Sequence, residues 1–185
     1  MRLEYLFEIQ AGLDAHIEQE HPRQEGEDRL SKKILALQVE LGELAQNWRG
    51  FKFWSEDQEP RTVESIPTDW DDDGTPTEWN VNPHKNPLLE EYVDCLHFIL
   101  SIGLELNVPN EWALDNISYQ ESYSITEQFI RFNKYLKTDL DVHDWFEILE
   151  HFLGLGDMLG FSWNQIEQAY LEKNKVNHER QNNGY

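Results

Sequence analysis

Residues 30–48, LSKKILALQVELGELAQNW, and residues 87–106, PLLEEYVDCLHFILSIGLEL, decide the fold. In the first, Ile34, Leu37, Leu41, Leu44 and Trp48 recur at three- and four-residue steps, which gathers side chains on one face of an α-helix. The second opens on Pro87, a favoured first-turn residue, and carries Leu89, Val93, Leu96, Leu100 and Leu104 in a similar stripe. Working outward, Leu3, Leu6, Gln10, Leu13 and Ile17 keep the same period, with a glutamine inside the stripe. Weaker helical patterns cover 126–136 and 142–153, and a last helix starts at Ser162, where Ser162 and Gln165 have capping-box spacing. No strand alternation and no internal repeat stand out. The expected fold class is therefore all-α, a bundle built on antiparallel helices. A single domain over 1–185 is expected, with an irregular insertion at about 56–87. Residues 60–87 hold five of the seven prolines and the acidic run from Asp69 to Asp73, which predicts little regular structure. Trp70 and Trp79 predict that this stretch packs on something.

At 185 residues, with 39% hydrophobic and 12% aromatic content, the chain can bury a core and is too apolar to be disordered. No apolar run approaches the roughly 20 residues of a membrane span. MRLEYLFEIQ at the start carries acids within its apolar pattern and argues against a signal peptide. A lone cysteine, Cys95, precludes an internal disulfide, so a cytoplasmic location is the expectation. Fifteen Lys and Arg against 36 Asp and Glu leave a formal charge of −21. Such a surface repels nucleic-acid polymers, while a small anion remains acceptable if cations reverse the local field.

The candidate chemistry lies in two carboxylate doublets, Glu40-Leu-Gly-Glu43 and Glu91-Tyr-Val-Asp94. Residues three apart share a helix face, about 5–6 Å apart at Cβ. Each doublet borders its helix's apolar stripe, so packing the stripes together brings four acids to one site. Their repulsion calls for cations, and hard oxygen donors suit Mg²⁺ or Mn²⁺. Such ions polarise phosphoryl oxygens and help water attack. Solvated acidic faces show the same spacing, so spacing alone leaves the point open. Glu90 neighbours Glu91 but points about 100° away, and only Glu91 is three residues from Asp94.

The C-terminal AYLEKNKVNHERQNNGY puts Lys173, Asn177 and Arg180 on one helix face. Lys and Arg can grip phosphate oxygens; equally, cations near a helix end offset its dipole. Gln10, if buried, needs donor and acceptor partners, which either a uracil edge or a neighbouring helix provides. Phe51-Lys-Phe-Trp54 offers aromatic faces for base stacking or for ordinary packing.

LFEIQAGLDAHI (6–17), LALQVELGELAQNWRGFKFWS (35–55), LLEEYVDCLHFILSIGLEL (88–106) and EKNKVNHERQNNGY (172–185) together resemble the dimeric all-α dUTPases of Gram-positive bacteria, their phages and kinetoplastids. These belong to the MazG-type all-α NTP pyrophosphatase superfamily. The resemblance implies a homodimer that hydrolyses dUTP, with dUDP as a second substrate, to dUMP. It implies more than one Mg²⁺, with Mn²⁺ as a substitute, on Glu40, Glu43, Glu91 and Asp94. Gln10 and Trp54 would lie near uracil and Asn177 near the base or sugar, with Lys173, Arg180 and Tyr185 at the phosphates. His97 would meet the sugar 3′-hydroxyl or a metal ligand, or else is a satisfied core histidine.

The expected reaction is in-line attack of water on the triphosphate, with Mg²⁺ ions about 3.5–4 Å apart and Glu43 or Glu40 positioning the water. Three rivals accompany it. A dCTP or broader dNTP pyrophosphatase would keep the chemistry, since a Gln10 amide free to flip fits cytosine as well as uracil. A di-iron carboxylate protein would use Asp94-Cys-Leu-His97 as an acid-x-x-His pair, with Glu18 to His21 as the only second pair. An acidic interaction protein would leave the four acids and the cationic tail without a purpose.

Overall fold

A computed structural model describes residues 3–108 and 117–184. Six helices form: α1 (Leu3–Glu20), α2 (Arg29–Trp48), α3 (Pro87–Glu105), α4 (Ile125–Tyr135), α5 (Val142–Met158) and α6 (Trp163–Asn182). The all-α expectation holds, and local chemistry explains the boundaries. Asp28, Asn86 and Ser124 each accept a backbone N–H of the first turn of α2, α3 and α4. Ser162 and Gln165 close a reciprocal capping box at the start of α6, as their spacing predicts, and Asp141 and Asp144 close another on α5. Arg49 ends α2 in the left-handed region at φ 66°.

The central element is α3, which packs on α1, α2, α5 and α6. Its buried side chains, among them Leu88, Tyr92, Cys95, Leu96, Ile99 and Ile102, surround the axis. The single stripe drawn from sequence is thus too narrow: Leu89 and Leu104 are only half-buried, and the true core face is nearly the whole helix. Lys33 of α2 reaches the Ser101 carbonyl, whereas Asn47 reaches Glu91, so α2 runs antiparallel to α3. Trp145 of α5 is fully buried, stacks obliquely on Phe7 and donates its indole N–H to the Ile99 carbonyl at 2.8 Å. Tyr92 satisfies its hydroxyl on the Phe152 carbonyl in the same way.

Between α2 and α3 the structure corrects the sequence reading. Residues 60–87 are not irregular: β1 (Glu64–Trp70) and β2 (Pro76–Asn82) pair as an antiparallel hairpin, Pro67 opposite Trp79 and Ser65 opposite Val81. The acidic run is its turn, in which Asp71 accepts the N–H groups of Asp73 and Thr75 and Gly74 takes φ +78°. Nor do the tryptophans pack inward. Trp70 and Trp79 are 54% and 52% exposed, because a two-stranded ribbon has no second layer to bury them. Among the described residues, no helix is long and apolar enough to cross a membrane.

The packing around α3 predicts opposite outcomes for two glycines. A Cβ at Gly103 would lie 2.8 Å from the Trp145 ring and 3.0 Å from Phe7. Gly103→Ala should therefore cost roughly 1–3 kcal/mol of stability in urea unfolding. Gly42, exposed on α2, would meet nothing within 4 Å, so Gly42→Ala should stabilise by about 0.5–1 kcal/mol.

Candidate active site

The α2–α3 pairing brings acids together. Glu40, Glu91 and Asp94 each offer an oxygen, and the three lie within 4.8 Å of one another. Glu43 stands outside this trio and is exposed, yet its charge helps hold the Glu40 and Glu91 carboxyls above the usual carboxylate range. Glu91 faces the cluster and meets Asn47, while Glu90 turns to Lys85 and Lys173.

The cluster is short of positive charge. Burial, followed by the Asp94, Glu43 and Glu40 carboxylates, pushes Glu91 up to about 7. Burial and the Asp94 and Glu43 charges raise Glu40 as well. Burial also raises Asp94, against the pull of Lys173, whose ammonium donates to it at 2.6 Å and to Glu90 at 3.2 Å. Burial by itself would lower Lys173, but the Asp94 and Glu90 charges outweigh it and hold the ammonium charged. One lysine cannot offset so many acids. Three converging hard oxygens with surplus negative charge, rimmed by a fourth, fit a divalent cation of the Mg²⁺ kind. Among the described residues the group that could hold a metal, Glu40, Glu91 and Asp94, includes neither His97 nor the Glu18 and His21 of the di-iron reading.

Glu40 and Asp94 also line a cleft of about 250 Å³, and so do Gln10, His97, Asn177 and Arg180. Of the residues singled out from sequence, six thus share one cavity wall. Gln10 is buried, and its oxygen accepts the Tyr170 hydroxyl at 2.6 Å and faces His97 Nδ1 at 2.8 Å. Of the alternatives weighed for this glutamine, the bond to neighbouring helices is present, and the residue also borders the cleft. His97 is nine-tenths buried and stacks on Tyr170. Burial, assisted by the Lys173 charge, lowers it to about 3, so the ring is neutral. Its Nε2 is buried without a partner.

Two residues sit differently from expectation. Lys173 is not free for an anion but is spent on Asp94 and Glu90. Trp54 is 65% exposed in the loop after α2, edge-on to Phe51 and Phe53, and is not part of the cleft lining. Tyr185 lies outside the described residues. Sequence reasoning missed Asp14, Ser101 and Gln181, which also line the cleft. The signal was available for two of them: Asp14 follows Gln10 by four residues and Ser101 follows His97 by four, each one turn along the same helix face.

Set against known families, the chain matches the model of one described as dUTPase over residues 2–72 and 78–185. The residues passed over, 73–77, fall at the hairpin turn and the start of β2. No curated protein matches.

The charge surplus makes a pH prediction. Glu91 rises from an ordinary 4.5 to about 7 in the folded chain. Its contribution to stability is complete below pH 4.5 and is lost as pH climbs through about 7, where the folded state must accept the charge. Melting curves of the metal-free protein should show this loss, Glu91→Gln should flatten it, and added Mg²⁺ should reverse it with release of protons.

Proposed function

The chain belongs to the dUTPase family, and on that premise we propose that it hydrolyses dUTP to dUMP and pyrophosphate with Mg²⁺ held by Glu40, Glu91 and Asp94. The observation that carries this reading is the convergence of those three carboxylates, two of which, Glu40 and Asp94, line a cleft that also holds Gln10, His97, Asn177 and Arg180. Glu43, at the rim, completes the ligand set for more than one ion, with Mn²⁺ as a substitute. Bound there, the ions neutralise phosphate charge and polarise a phosphoryl oxygen.

The chain's own residues supply the rest. Glu40 or Glu43 orients the attacking water and accepts its proton; the raised basicity of Glu40 suits that task. The bare, buried Nε2 of His97 accepts a hydrogen from the sugar 3′-hydroxyl, which would relieve its lack of a partner. Gln10 meets the uracil edge and Asn177 the base or sugar. Arg180, with Lys173 once Asp94 is engaged by a cation, and Tyr185 hold the phosphates. Trp54 stacks on the base from the loop after α2. Recognition of the base, the sugar and the first two phosphates makes dUDP a second substrate. Residues 1–185 act as one catalytic domain from which the hairpin projects, the working form is a homodimer, and the lone buried Cys95 suits the cytoplasm.

A panel of dNTPs and dUDP, with product analysis, tests this. Pyrophosphate should appear from dUTP with Mg²⁺ and cease on chelation, and Glu40→Gln should lower kcat at least about a hundredfold through loss of a metal ligand. Comparable dCTP turnover would replace the reading with a dCTP or broader dNTP pyrophosphatase, and no turnover of any nucleotide would remove it.

A further inference from the structure

The cleft wall holds a carboxylate with no role so far. Asp14, one turn after Gln10 on α1, accepts from the Ser101 hydroxyl at 2.6 Å, the Lys33 ammonium at 3.1 Å and the Gln10 amide nitrogen at 2.7 Å. A carboxylate paired with an ammonium only accepts hydrogen bonds, so the end of the Gln10 amide that faces it must be NH₂. The amide oxygen then faces the other way, where it accepts the Tyr170 hydroxyl. An amide oxygen only accepts too, so the neutral His97 must carry its proton on Nδ1 and leave Nε2 bare. Asp14 thereby dictates the polarity of two groups on the cleft wall. Gln10 has one N–H taken by Asp14 and a second without a partner among the described residues; His97 has an unshared lone pair.

Uracil and cytosine differ at the exocyclic position, where uracil carries a carbonyl oxygen and cytosine an amine. A glutamine free to turn would serve either base. Here a turn would set the amide oxygen against the Asp14 carboxylate and forfeit the bonds from Tyr170 and His97, a costly loss for a buried amide. We propose that Asp14 is a positioning residue for base selection: it locks the Gln10 amide so that the spare N–H pairs with a carbonyl edge and rejects an amine. The inference rests on the reading above in which Gln10 meets the base. It goes beyond that reading in assigning the choice of base to a residue that acts through Gln10.

The test is Asp14→Asn, which keeps size and shape but can face Gln10 with either its oxygen or its nitrogen. The ratio of kcat/KM for dUTP over dCTP should fall roughly tenfold, the factor that about one net hydrogen bond commands. In parallel, nitrogen NMR of histidine-labelled protein should find the His97 proton on Nδ1 in the parent and shared with Nε2 in the variant, a change that a merely structural role would not cause. In a folded variant, an unchanged ratio or an unchanged ring overturns the proposal. The parent spectrum decides even if the variant does not fold, because a proton on Nε2 there breaks the chain from Asp14. A parent that turns over no dUTP would instead remove the underlying function, while leaving the lock itself to be judged by that spectrum.

Discussion

Everything in this structure depends on a polar seam running through a helix that is otherwise core. Along α3, Glu91, Asp94, His97, Ser101 and Glu105 follow one another at three- and four-residue steps, while the remaining faces bury Leu88, Tyr92, Leu96, Ile99 and Ile102. Polar groups carried into a packed interior must find partners there, and the neighbouring helices provide them. Gln10 and Asp14 come from α1, Lys33 and Glu40 from α2, and Tyr170 and Lys173 from α6. The apolar contacts that surround the seam are what make this arrangement affordable in free energy.

The two ends of the seam are resolved differently. Toward the C-terminal end of α3, acids and bases balance within the chain: Asp14 and Glu105 share Lys33, and Arg23 grips Glu105 through two bonds. Toward the N-terminal end the balance fails. Glu40, Glu91 and Asp94, with Glu43 and Glu90 nearby, outnumber the cations that reach them, Lys173 on Asp94 and Glu90 and Lys85 on Glu90. A closed network at one end gives rigidity, and a charge deficit at the other gives affinity for something positive that the chain lacks. Between them stand Gln10 and His97, neutral groups whose hydrogen-bonding sense is inherited from the rigid end.

The helices were legible because each announces itself locally. Period and caps locate α2, α3 and α6, and the i, i+3 doublets single out Glu40, Glu43, Glu91 and Asp94. What remained hidden required knowledge of neighbours. Nothing in the spacing of Glu40 and Glu43 says that the first turns into the cluster and the second toward solvent, because that depends on the crossing of α2 over α3. Lys173 looked available for an anion, since its partners Glu90 and Asp94 lie some eighty residues away. Asp14 draws no notice by itself, although it lies one turn beyond Gln10 on the same helix face. The hairpin was missed for another reason. Its prolines suppress the usual strand signal, although Asp73-Gly74 between two β-prone runs is a recognisable turn.

Among the described residues that hairpin is a ribbon with no third strand. Within the chain, both outer edges keep backbone groups unpaired, and Trp70, Trp79, Ile66 and Val81 are half-exposed upon it. Bare edges with apolar decoration invite strand addition by other chains, and proteins blunt them with proline and charge. Pro67 and Pro76 interrupt the donors, and the acidic tip, on a chain of net charge −21, repels its own kind. The prolines act at any ionic strength, but the repulsion reaches only about 10 Å at 0.1 M salt and about 3 Å at 1 M. Colloidal behaviour of this protein is therefore governed by electrolyte at the ribbon, far from the chemistry that the bundle encloses.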